Sequence, residues 1–294
     1  MISIDPKNTA TQDLHQYLVG AVAPRPIAFV STIDENGQPN LAPYSFFNVF
    51  SSNPPILVFS SNRRVGDNTT KDTLHNVQAT GEVVVNVVNY AIVRQMSIAS
   101  IQYPSEVSEF EKSGLTPIAS DLVKPFRVKE SPVQMECKVQ QVMPMGKEGG
   151  AGHLIICEIL RIHLDDNILD DSGKINPHKI DLMGRMGRAF YVRASGEAIH
   201  TIFQPVTQLG IGYAALPATA RNSRVLTGNH LGQLAAITSP PAAEAIARVR
   251  QEDKVADILK SKDPLEGLHQ YAQLELSKEN VNQAAALVWL AEEL

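Results

Sequence analysis

Short runs of β-branched and other apolar residues, separated by turn-forming residues, dominate the chain up to about residue 200. They predict strands over residues 27–33, 40–48, 56–61, 82–89, 133–145 and 153–164. The turn between the first two is an Asn36-Gly37 pair, which accepts the left-handed backbone of a tight hairpin. A glycine-rich stretch, 146–152, is a hairpin loop between the last two. The pattern therefore predicts mainly β structure up to about residue 200.

Helical periodicity is rare in the same region. It predicts a helix over 69–80, where Leu74 and Val77 share a face and Gly81 is a C-terminal stop, a second over 90–100, and a short third within 177–187. Many short strands with few helices favour an antiparallel sandwich or barrel over a parallel sheet with crossover helices.

Beyond residue 200 the pattern changes. Residues 204–234 are punctuated by Gly and Pro and show little periodicity, whereas 240–294 are dense in helix formers. Asp263-Pro264 and Ser277 are typical helix starts, so we expect three or four short helices packed on the β domain or on a partner subunit. The apolar positions that share helix faces are Ala242, Ala245, Ile246 and Val249, then Val281, Ala285, Leu287 and Val288. The predicted domains are 1–200, an irregular extension 201–235 and a helical appendage 236–294.

Composition narrows the class of protein. The 294 residues are 44% hydrophobic and 19% charged, as in an ordinary globular protein with a core. The formal net charge of −5 argues against nucleic acid as a partner. No window approaches the ~18 apolar residues of a membrane span, and residues 1–6 lack the pattern of a secretion signal. We expect a cytoplasmic protein with neither membrane nor nucleic-acid partners.

The two cysteines, Cys137 and Cys157, are too few and too far apart for a zinc site or a disulfide framework. They flank the 146–152 loop, which would put them on neighbouring strands as reduced core thiols. No metal site is expected. The sequence also lacks a GxxxxGK[ST] loop, a GxSxG motif and a pair of His at metal-binding spacing. Gly210-Ile211-Gly212 has Ala215 where a dinucleotide-binding motif would have its third glycine.

Candidate chemistry is concentrated between residues 24 and 73. The segment 40–48 combines a stiff Pro with three aromatic residues and could present backbone N–H groups and an aromatic wall to a flat ligand; the alternative is an edge strand with core aromatics. Residues 60–64 then lead through Gly66 to the start of the 69–80 helix, where hydroxyls, cations and free N–H groups suit a phosphate. The alternative there is a solvated loop, with Thr69 and Asp72 as a capping box.

These motifs stand in a recognisable order. Residues 22–32, the Asn36-Gly37 turn, residues 40–48, Pro54-Pro55 and Lys71-Asp72-Thr73 resemble the flavin reductase-like family of FMN-binding split-barrel proteins, flavoredoxin among them. The resemblance covers roughly residues 10–200. It implies a mainly β fold, a six-stranded antiparallel Greek-key split barrel with a few helices and the C-terminal helical extension, and a homodimer with flavin near the dimer interface.

The resemblance also implies a set of cofactor-binding residues. The flavin ring would lie against the backbone of one segment, made of Asn40, Leu41, Ala42, Pro43, Tyr44, Ser45, Phe46 and Phe47. The phosphate would lie near Ser60, Ser61, Arg63 and Lys71, with Asp72 and Thr73 closing the helix start. Tyr191 resembles an aromatic residue that lies near the flavin in relatives; the alternative is a half-buried strand residue.

The implied function is an NAD(P)H-dependent flavin oxidoreductase with FMN, or FAD, as the cofactor. Hydride would pass from the nicotinamide to flavin N5, so no catalytic residue beyond the flavin is required. A downstream monooxygenase or another electron acceptor would be a further partner. Two alternatives stay open: an FMN-binding electron carrier or flavin-storage protein without nicotinamide activity, and a cofactor-free scaffold. The stretch 209–234 is expected to cross to the other subunit and cover part of its flavin pocket.

Overall fold

The computed structural model of the protein describes residues 1–202 and 208–294. The chain divides into two compact units, Met1–His200 and Thr201–Leu294. Residues 203–207, which include the start of the stretch 204–234, lie outside the described residues. In the described ranges, no helix is long and apolar enough to cross a membrane.

The first unit is built on one antiparallel sheet. Its strands, with two shorter pairs, are β1 (Ala28–Ile33), β2 (Pro39–Tyr44), β3 (Phe47–Ser52), β4 (Pro55–Ser60), β5 (Glu82–Val87), β6 (Pro117–Ile118), β7 (Arg127–Val128), β8 (Val133–Pro144), β9 (His153–Leu164), β10 (Met183–Gly187) and β11 (Phe190–Arg193). Seven of them form the main sheet in the order β2-β1-β5-β8-β9-β4-β3, while β6 pairs with β7 and β10 with β11. In the described part of the chain the edges β2 and β3 do not pair, so this sheet is not closed.

The six-strand count predicted from the sequence is therefore not confirmed. The residues predicted as one strand, 40–48, are divided between β2 and β3 by a turn at Ser45 and Phe46. β2 pairs with β1, whereas β3 pairs with β4 at the opposite edge of the sheet. Alternation along a segment does not report a change of pairing partner, which is why the sequence pattern appears continuous. The other predicted strands are confirmed to within a few residues.

Five helices accompany the sheet: α1 (Thr11–Ala21), α2 (Asp72–Thr80), α3 (Val93–Ile98), α4 (Glu109–Ser113) and α5 (Pro177–Ile180). α2 ends at Gly81, with φ of 70°, as predicted, but begins three residues later than Thr69. The predicted capping box is wrong because Thr69 is engaged by Asp67, 2.7 Å from its hydroxyl, and by Arg64. The predicted third helix, 177–187, is helical only in α5, and its second half is β10.

The core of the first unit fills the space between the sheet and these helices. β1 is buried along its whole length because both of its faces are covered. Cys137 on β8 and Cys157 on β9 lie buried on neighbouring strands as free thiols, which confirms the prediction of core cysteines. Burial raises the pKa of the Cys157 thiol to about 12, so it is un-ionised and unreactive at neutral pH.

The second unit is helical. Its helices are α6 (Ala218–Arg221), α7 (Gly228–Ala235), α8 (Ala243–Arg250), α9 (Asp253–Leu259), α10 (Pro264–Ser277) and α11 (Val281–Ala291). α6 and α7 come from the stretch for which the sequence shows little periodicity, and they share one apolar core with α10 and α11. Asp263 caps α10 as predicted, but Ser277 starts no helix. The Ser277 hydroxyl donates to the Leu274 carbonyl 2.7 Å away, within the last turn of α10.

Candidate functional site

A cleft of about 360 Å³ opens in the first unit between elements that are distant in sequence. Its walls are α1, the end of β2 with the turn that follows it, the end of β4, the start of α2 and the β10–β11 hairpin. The lining residues are His15, Gln16, Val19, Arg25, Pro43, Tyr44, Ser45, Phe46, Ser60, Asn62, Lys71, Arg185, Gly187 and Arg188.

The charges in this cleft are of one sign. Lys71, Arg25, Arg185 and Arg188 line it, and no carboxylate from residues 1–202 or 208–294 does. The whole chain carries a net charge of −5, so the cleft is a positively charged region of a protein that is negative overall. A concave, partly desolvated surface with this charge favours an anionic ligand, and one carrying phosphate above all.

Lys71 is held in a desolvated position. It is the N-cap residue of α2, and its ammonium lies 4.8 Å from the centre of the Tyr44 ring. Burial, with a smaller contribution from Arg64, lowers the pKa of Lys71 below its usual value of 10.5. No side chain caps the N-terminus of α2, so its first N–H groups also remain available to an acceptor. An anion bound here would stabilise both the ammonium and the helix start.

Tyr44, whose ring lies beside the Lys71 ammonium, has a buried hydroxyl. Burial raises the pKa of Tyr44 to about 12, while the nearby Thr73 and Ser61 hydroxyls oppose the shift, so the phenol keeps its proton at neutral pH. The Tyr44 and Ser61 hydroxyls are therefore close neighbours, although neither makes a hydrogen bond of good geometry. Of the two, only Tyr44 lines the cleft, where a ligand could complete its hydrogen bonding.

Arg25 joins three of the walls. Its guanidinium is buried, donates to two backbone carbonyls at the C-terminal end of α1, and lies 3.4 Å from Ser45 Oγ and 5.9 Å from the Phe46 ring centre. Its backbone pairs with Arg185, with N···O distances of 3.0 and 2.8 Å. Burial and the Arg185 charge lower the pKa of Arg25, although a guanidinium stays protonated at neutral pH. Arg25 therefore positions α1, the β2–β3 turn and the hairpin around the cleft.

The remaining walls depend on two close approaches. The His15 ring of α1 meets Phe46 edge-on, with ring centres 6.1 Å apart. Gly187 has a φ of 92°, and a Cβ there would lie 3.0 Å from the Val19 carbonyl oxygen. A glycine in the hairpin thus lets the C-terminal end of α1 pack closely against it.

The structure brings part of the predicted residue set into the cleft. Six of the residues implied by the resemblance line it: Pro43, Tyr44, Ser45, Phe46, Ser60 and Lys71. Asn40 lies behind the wall, where its amide donates to the Thr73 hydroxyl 2.9 Å away. Leu41 is buried, and Ala42 and Phe47 pack against the core.

Four other predicted residues lie next to the cleft without lining it. Arg63 donates to the Asn68 side chain 2.7 Å away, and Ser61 is buried beside Ser60. Asp72 begins α2. Tyr191 lies on β11, where its ring stacks 4.5 Å from the Arg185 guanidinium. Their proposed contacts with a cofactor stay predictions.

The lining residues absent from the implied set are His15, Gln16, Val19, Arg25, Asn62, Arg185, Gly187 and Arg188. Two signals could have found some of them: the arginine enclosed by Pro24 and Pro26, and the Gly184-Arg185 pair before Tyr191. α1 gives no such signal, because most of its surface is exposed and its periodicity is weak.

A second polar cluster in this unit is satisfied internally. Ligand atoms of Asp121, Glu136 and His163 lie within 4.8 Å of one another. The buried Glu136 carboxylate accepts hydrogen bonds from three backbone N–H groups and lies 2.6 Å from His163 Nε2. Arg161 is paired with Asp121 at 2.6 Å. These contacts account for the cluster as an anchor for the loop 121–123.

The cleft fits a flat, phosphorylated ligand such as a flavin mononucleotide. Its volume is within the range of small-molecule sites, its cations match a phosphate, and the buried Tyr44 hydroxyl in its lining makes no hydrogen bond of good geometry. The half-buried turn at Ser45 and Phe46 could provide backbone groups and an aromatic edge beside a planar ring.

Comparisons with known proteins identify the family of the first unit. Residues 20–178 match the family model described as the flavin reductase like domain, which lies wholly within the first unit. An uncharacterized protein of Aquifex aeolicus is 44% identical over 191 residues, which are 65% of this chain and 95% of the relative.

Two solved structures support the same assignment. Nitrilotriacetate monooxygenase component B from Bacillus cereus is 30% identical, with a TM-score of 0.63 over 69% of this chain and 98% of that one. The 2-nitrobenzoate 2-nitroreductase of Pseudomonas fluorescens is 25% identical, with a TM-score of 0.61 over 71% and 100%. With a family match over more than half of its length, the chain belongs to the flavin reductase-like family of split-barrel flavin oxidoreductases.

Proposed function

We propose that this protein binds FMN in the cleft and catalyses NAD(P)H-dependent flavin reduction. The observation that carries the proposal is a cleft lined by four cations and no carboxylate, beside an aromatic turn, inside the flavin reductase-like domain. When bound, the flavin supplies the hydride acceptor, N5 of its ring.

Lys71 and its neighbours would hold the phosphate. The desolvated ammonium and the uncapped start of α2 offer charge-assisted and neutral donors. The Ser60 hydroxyl, which donates to Asn62 Oδ1 2.8 Å away, would turn to donate to the phosphate, and the neighbouring Ser61 hydroxyl would join it. Arg63 would join them from the loop that precedes α2, and Asp72 and Thr73 would close the helix start. In the absence of a ligand, Lys71 is desolvated without an anionic partner in the cleft, so phosphate binding relieves an existing cost.

The segment from Asn40 to Phe47 would orient the ring. Asn40 and Leu41 fix the strand from behind, because the Asn40 amide bonds Thr73 and the Leu41 N–H donates to the Glu109 carboxylate 3.0 Å away. The Ser45 and Phe46 turn then presents its backbone to the cleft, and Tyr191 would approach from the hairpin. A pre-positioned segment of this kind holds two reacting rings at contact distance without a further rearrangement.

No side chain is needed to transfer a proton in this scheme. Of the lining residues, only His15 carries an imidazole, and its ring packs edge-on against Phe46. The fixed cations Arg25 and Lys71 instead stabilise negative charge that develops in the cleft, which is an electrostatic contribution made before the reaction starts. We therefore assign no catalytic residue beyond the flavin.

We also propose a homodimer. The edge strand β3 exposes Val49 and Phe50, at 54% and 68% of their surfaces, and β9 exposes Leu160 and Ile162. Exposed apolar residues such as these, and an open edge strand such as β3, are unfavourable in a monomer and mark association surfaces. The flavin site would lie within residues 1–200, while 201–235 and 236–294 remain the proposed extension and appendage.

An electron acceptor downstream is part of the proposal. The Bacillus cereus structure is named as component B of a monooxygenase, so a partner monooxygenase is the first candidate acceptor here. The alternative function is an FMN-binding electron carrier without nicotinamide activity. One observation favours the carrier function: α1 and the hairpin expose apolar side chains that could contact a protein partner, namely Tyr17, Leu18 and Phe190.

The test is spectroscopic. Purified protein is titrated with FMN and, separately, FAD, and then mixed anaerobically with NADH or NADPH, while flavin bands near roughly 370 and 450 nm are followed. Binding followed by bleaching is the expected result. Binding without bleaching by either nucleotide would support the carrier, and no binding of either flavin would reject both functions.

A further inference from the structure

A second cleft, of about 460 Å³, lies wholly within the helical unit. One wall is α6 with the loop 222–225 that follows it, and the other is the start of α10. It shares no lining residue with the cleft of the first unit. Its volume is within the range of sites that bind small molecules, so its lining indicates what kind of molecule it can hold.

His269 is the buried polar residue of this lining. It lies on α10 with 2% of its surface exposed, and its Nε2 atom makes no hydrogen bond with any described residue. Burial lowers the pKa of the ring below its usual value of 6.5, while the charges of Asp263 and Glu292 oppose the shift. The imidazole is therefore neutral at neutral pH. A buried nitrogen without a partner is found where a ligand or water completes its hydrogen bonding.

Charges of both signs line the cleft without pairing with each other. Arg224 belongs to the loop wall, whereas the carboxylates of Asp263 and Glu266 belong to the α10 wall. In the described part of the chain none of these three residues forms an ion pair. The Arg224 guanidinium nitrogens thus lie more than 4.0 Å from both carboxylates. A ligand that enters the cleft meets a positive wall and a negative wall.

The loop wall offers hydrogen-bond donors. Ser223 Oγ accepts from the Val225 and Leu226 N–H groups, both at 3.1 Å, which leaves the hydroxyl proton to be donated. This proton belongs to the residue next to Arg224, whose guanidinium carries only donors. A hydroxyl beside a guanidinium suits a carboxylate.

The α10 wall offers acceptors instead. Asp263 Oδ1 accepts from the Glu266 N–H at 3.0 Å, so the helix start is already capped and does not attract an anion. The second oxygen of Asp263, the Glu266 carboxylate and the neutral His269 ring remain as acceptors. Three acceptors match the three N–H donors of an ammonium group.

The two walls together select the class of ligand. An anion alone would be repelled by the carboxylates, and a cation alone would be repelled by Arg224. A metal ion is disfavoured too, because Asp121, Glu136 and His163 form the one group in the described residues whose ligand atoms are close enough for one. A zwitterion carries both charges. Its apolar part could contact Val225 and Leu265, which line the same cleft.

We propose that the cleft of the helical unit binds a free aliphatic α-amino acid, with its carboxylate on Arg224 and its ammonium on Asp263 and Glu266. The Ser223 hydroxyl adds a donor to the carboxylate, and His269 accepts from the ammonium through an unprotonated ring nitrogen. The proposal is independent of flavin binding, because the two clefts share no residue.

The experiment is calorimetric titration of the full-length protein with L-leucine, L-isoleucine and L-valine. The amino acid that binds most tightly is then compared with its two analogues that each lack one charged group. For leucine these are 4-methylpentanoate, without the ammonium, and 3-methylbutylamine, without the carboxylate. We expect each analogue to bind at least about tenfold more weakly, as the loss of one charge-assisted contact would give.

Variants assign the contacts to the walls. Arg224→Gln should weaken the amino acid about tenfold and leave the amine analogue unchanged. Asp263→Asn should weaken the amino acid and leave the carboxylate analogue unchanged, because asparagine still caps the helix. Arg248→Gln, at an exposed arginine on α8 outside the cleft, is the matched control and should change nothing. Far-ultraviolet circular dichroism checks that each variant is folded.

Four results would overturn the proposal. Absence of binding by all three amino acids at millimolar concentration would reject the site. A carboxylate analogue that binds as tightly as its amino acid would make it an anion site, and an amine analogue that does so would make it a cation site. Unchanged amino-acid binding in a folded Arg224→Gln protein would place the ligand elsewhere in the molecule.

Discussion

Replacing Lys71 with alanine tests the phosphate site most directly. The ammonium is desolvated beside the Tyr44 ring, 4.8 Å from its centre, and no carboxylate lines the cleft. A charge-assisted hydrogen bond contributes about 1.5–3 kcal/mol. Loss of the ammonium should therefore raise the Kd for FMN by about 10–150-fold. The stability of the ligand-free protein should change little or rise, because removing a desolvated charge offsets the packing that is lost.

The assay is a fluorescence titration of FMN and of riboflavin, which has the same ring without the phosphate. Lys71→Ala should abolish most of the difference in affinity between the two ligands, whereas Lys129→Ala, at an exposed lysine outside the cleft, should preserve it. Far-ultraviolet circular dichroism of each variant checks the fold. An unchanged Kd for FMN in a folded Lys71→Ala protein would refute the phosphate role. Equal weakening of FMN and riboflavin would show that Lys71 contacts the ring instead.

Three further predictions follow from the same geometry. FMN affinity should fall as the pH rises, and the fall should begin below pH 10.5, because the pKa of Lys71 is lowered in the free protein and must rise when phosphate binds. Riboflavin affinity should lack this phosphate-dependent loss, and a flat pH profile for both ligands would contradict the prediction. Gly187→Ala should lower the free energy of unfolding more than Gly173→Ala, because both glycines have positive φ but only a Cβ at Gly187 would lie 3.0 Å from the Val19 carbonyl oxygen. Equal decreases in the free energy of unfolding, measured by urea denaturation, would show that this close approach does not matter. Phe50→Asp should shift the protein towards monomer in light scattering, and an unchanged dimer would move the interface away from β3.

The sequence predicts the sheet well and the cleft only in part, for a physical reason. A run of β-branched residues indicates a buried strand whichever strand it pairs with, so the central strands can be predicted from the sequence. The turn at Ser45 and Phe46 was not, because β2 and β3 together alternate like one strand. Thr69 likewise has the sequence position of a helix cap, but in the structure its hydroxyl contacts Asp67 and Arg64.

The missing half of the cleft depends on long-range pairing. Arg25 and Arg185 are neighbours only because their backbones pair across 160 positions of sequence. Lys71 could be predicted as a residue of the site from its motif, since the helix start and the loop before it are local, and it does line the cleft. Arg188 could not be predicted in the cleft, because no neighbouring residue in the sequence indicates which wall its hairpin forms. The absence of carboxylates from the lining is also a property of the assembled cleft alone.

That absence is the strongest argument that the cleft binds an anion. Among the described residues, the arginines and lysines that form ion pairs are half-exposed: Arg161 with Asp121 at 2.6 Å, Arg193 with Asp181 at 2.7 Å, Lys278 with Glu275 at 2.8 Å, and Arg250 with Glu293. Lys71 and Arg25 differ from these because they are desolvated and none of the described residues that line the cleft is acidic. Burial lowers the pKa of both, so the ligand-free cleft holds positive charge at a cost. A bound phosphate offsets that cost, and the energy retained in the empty cleft becomes affinity for the anion.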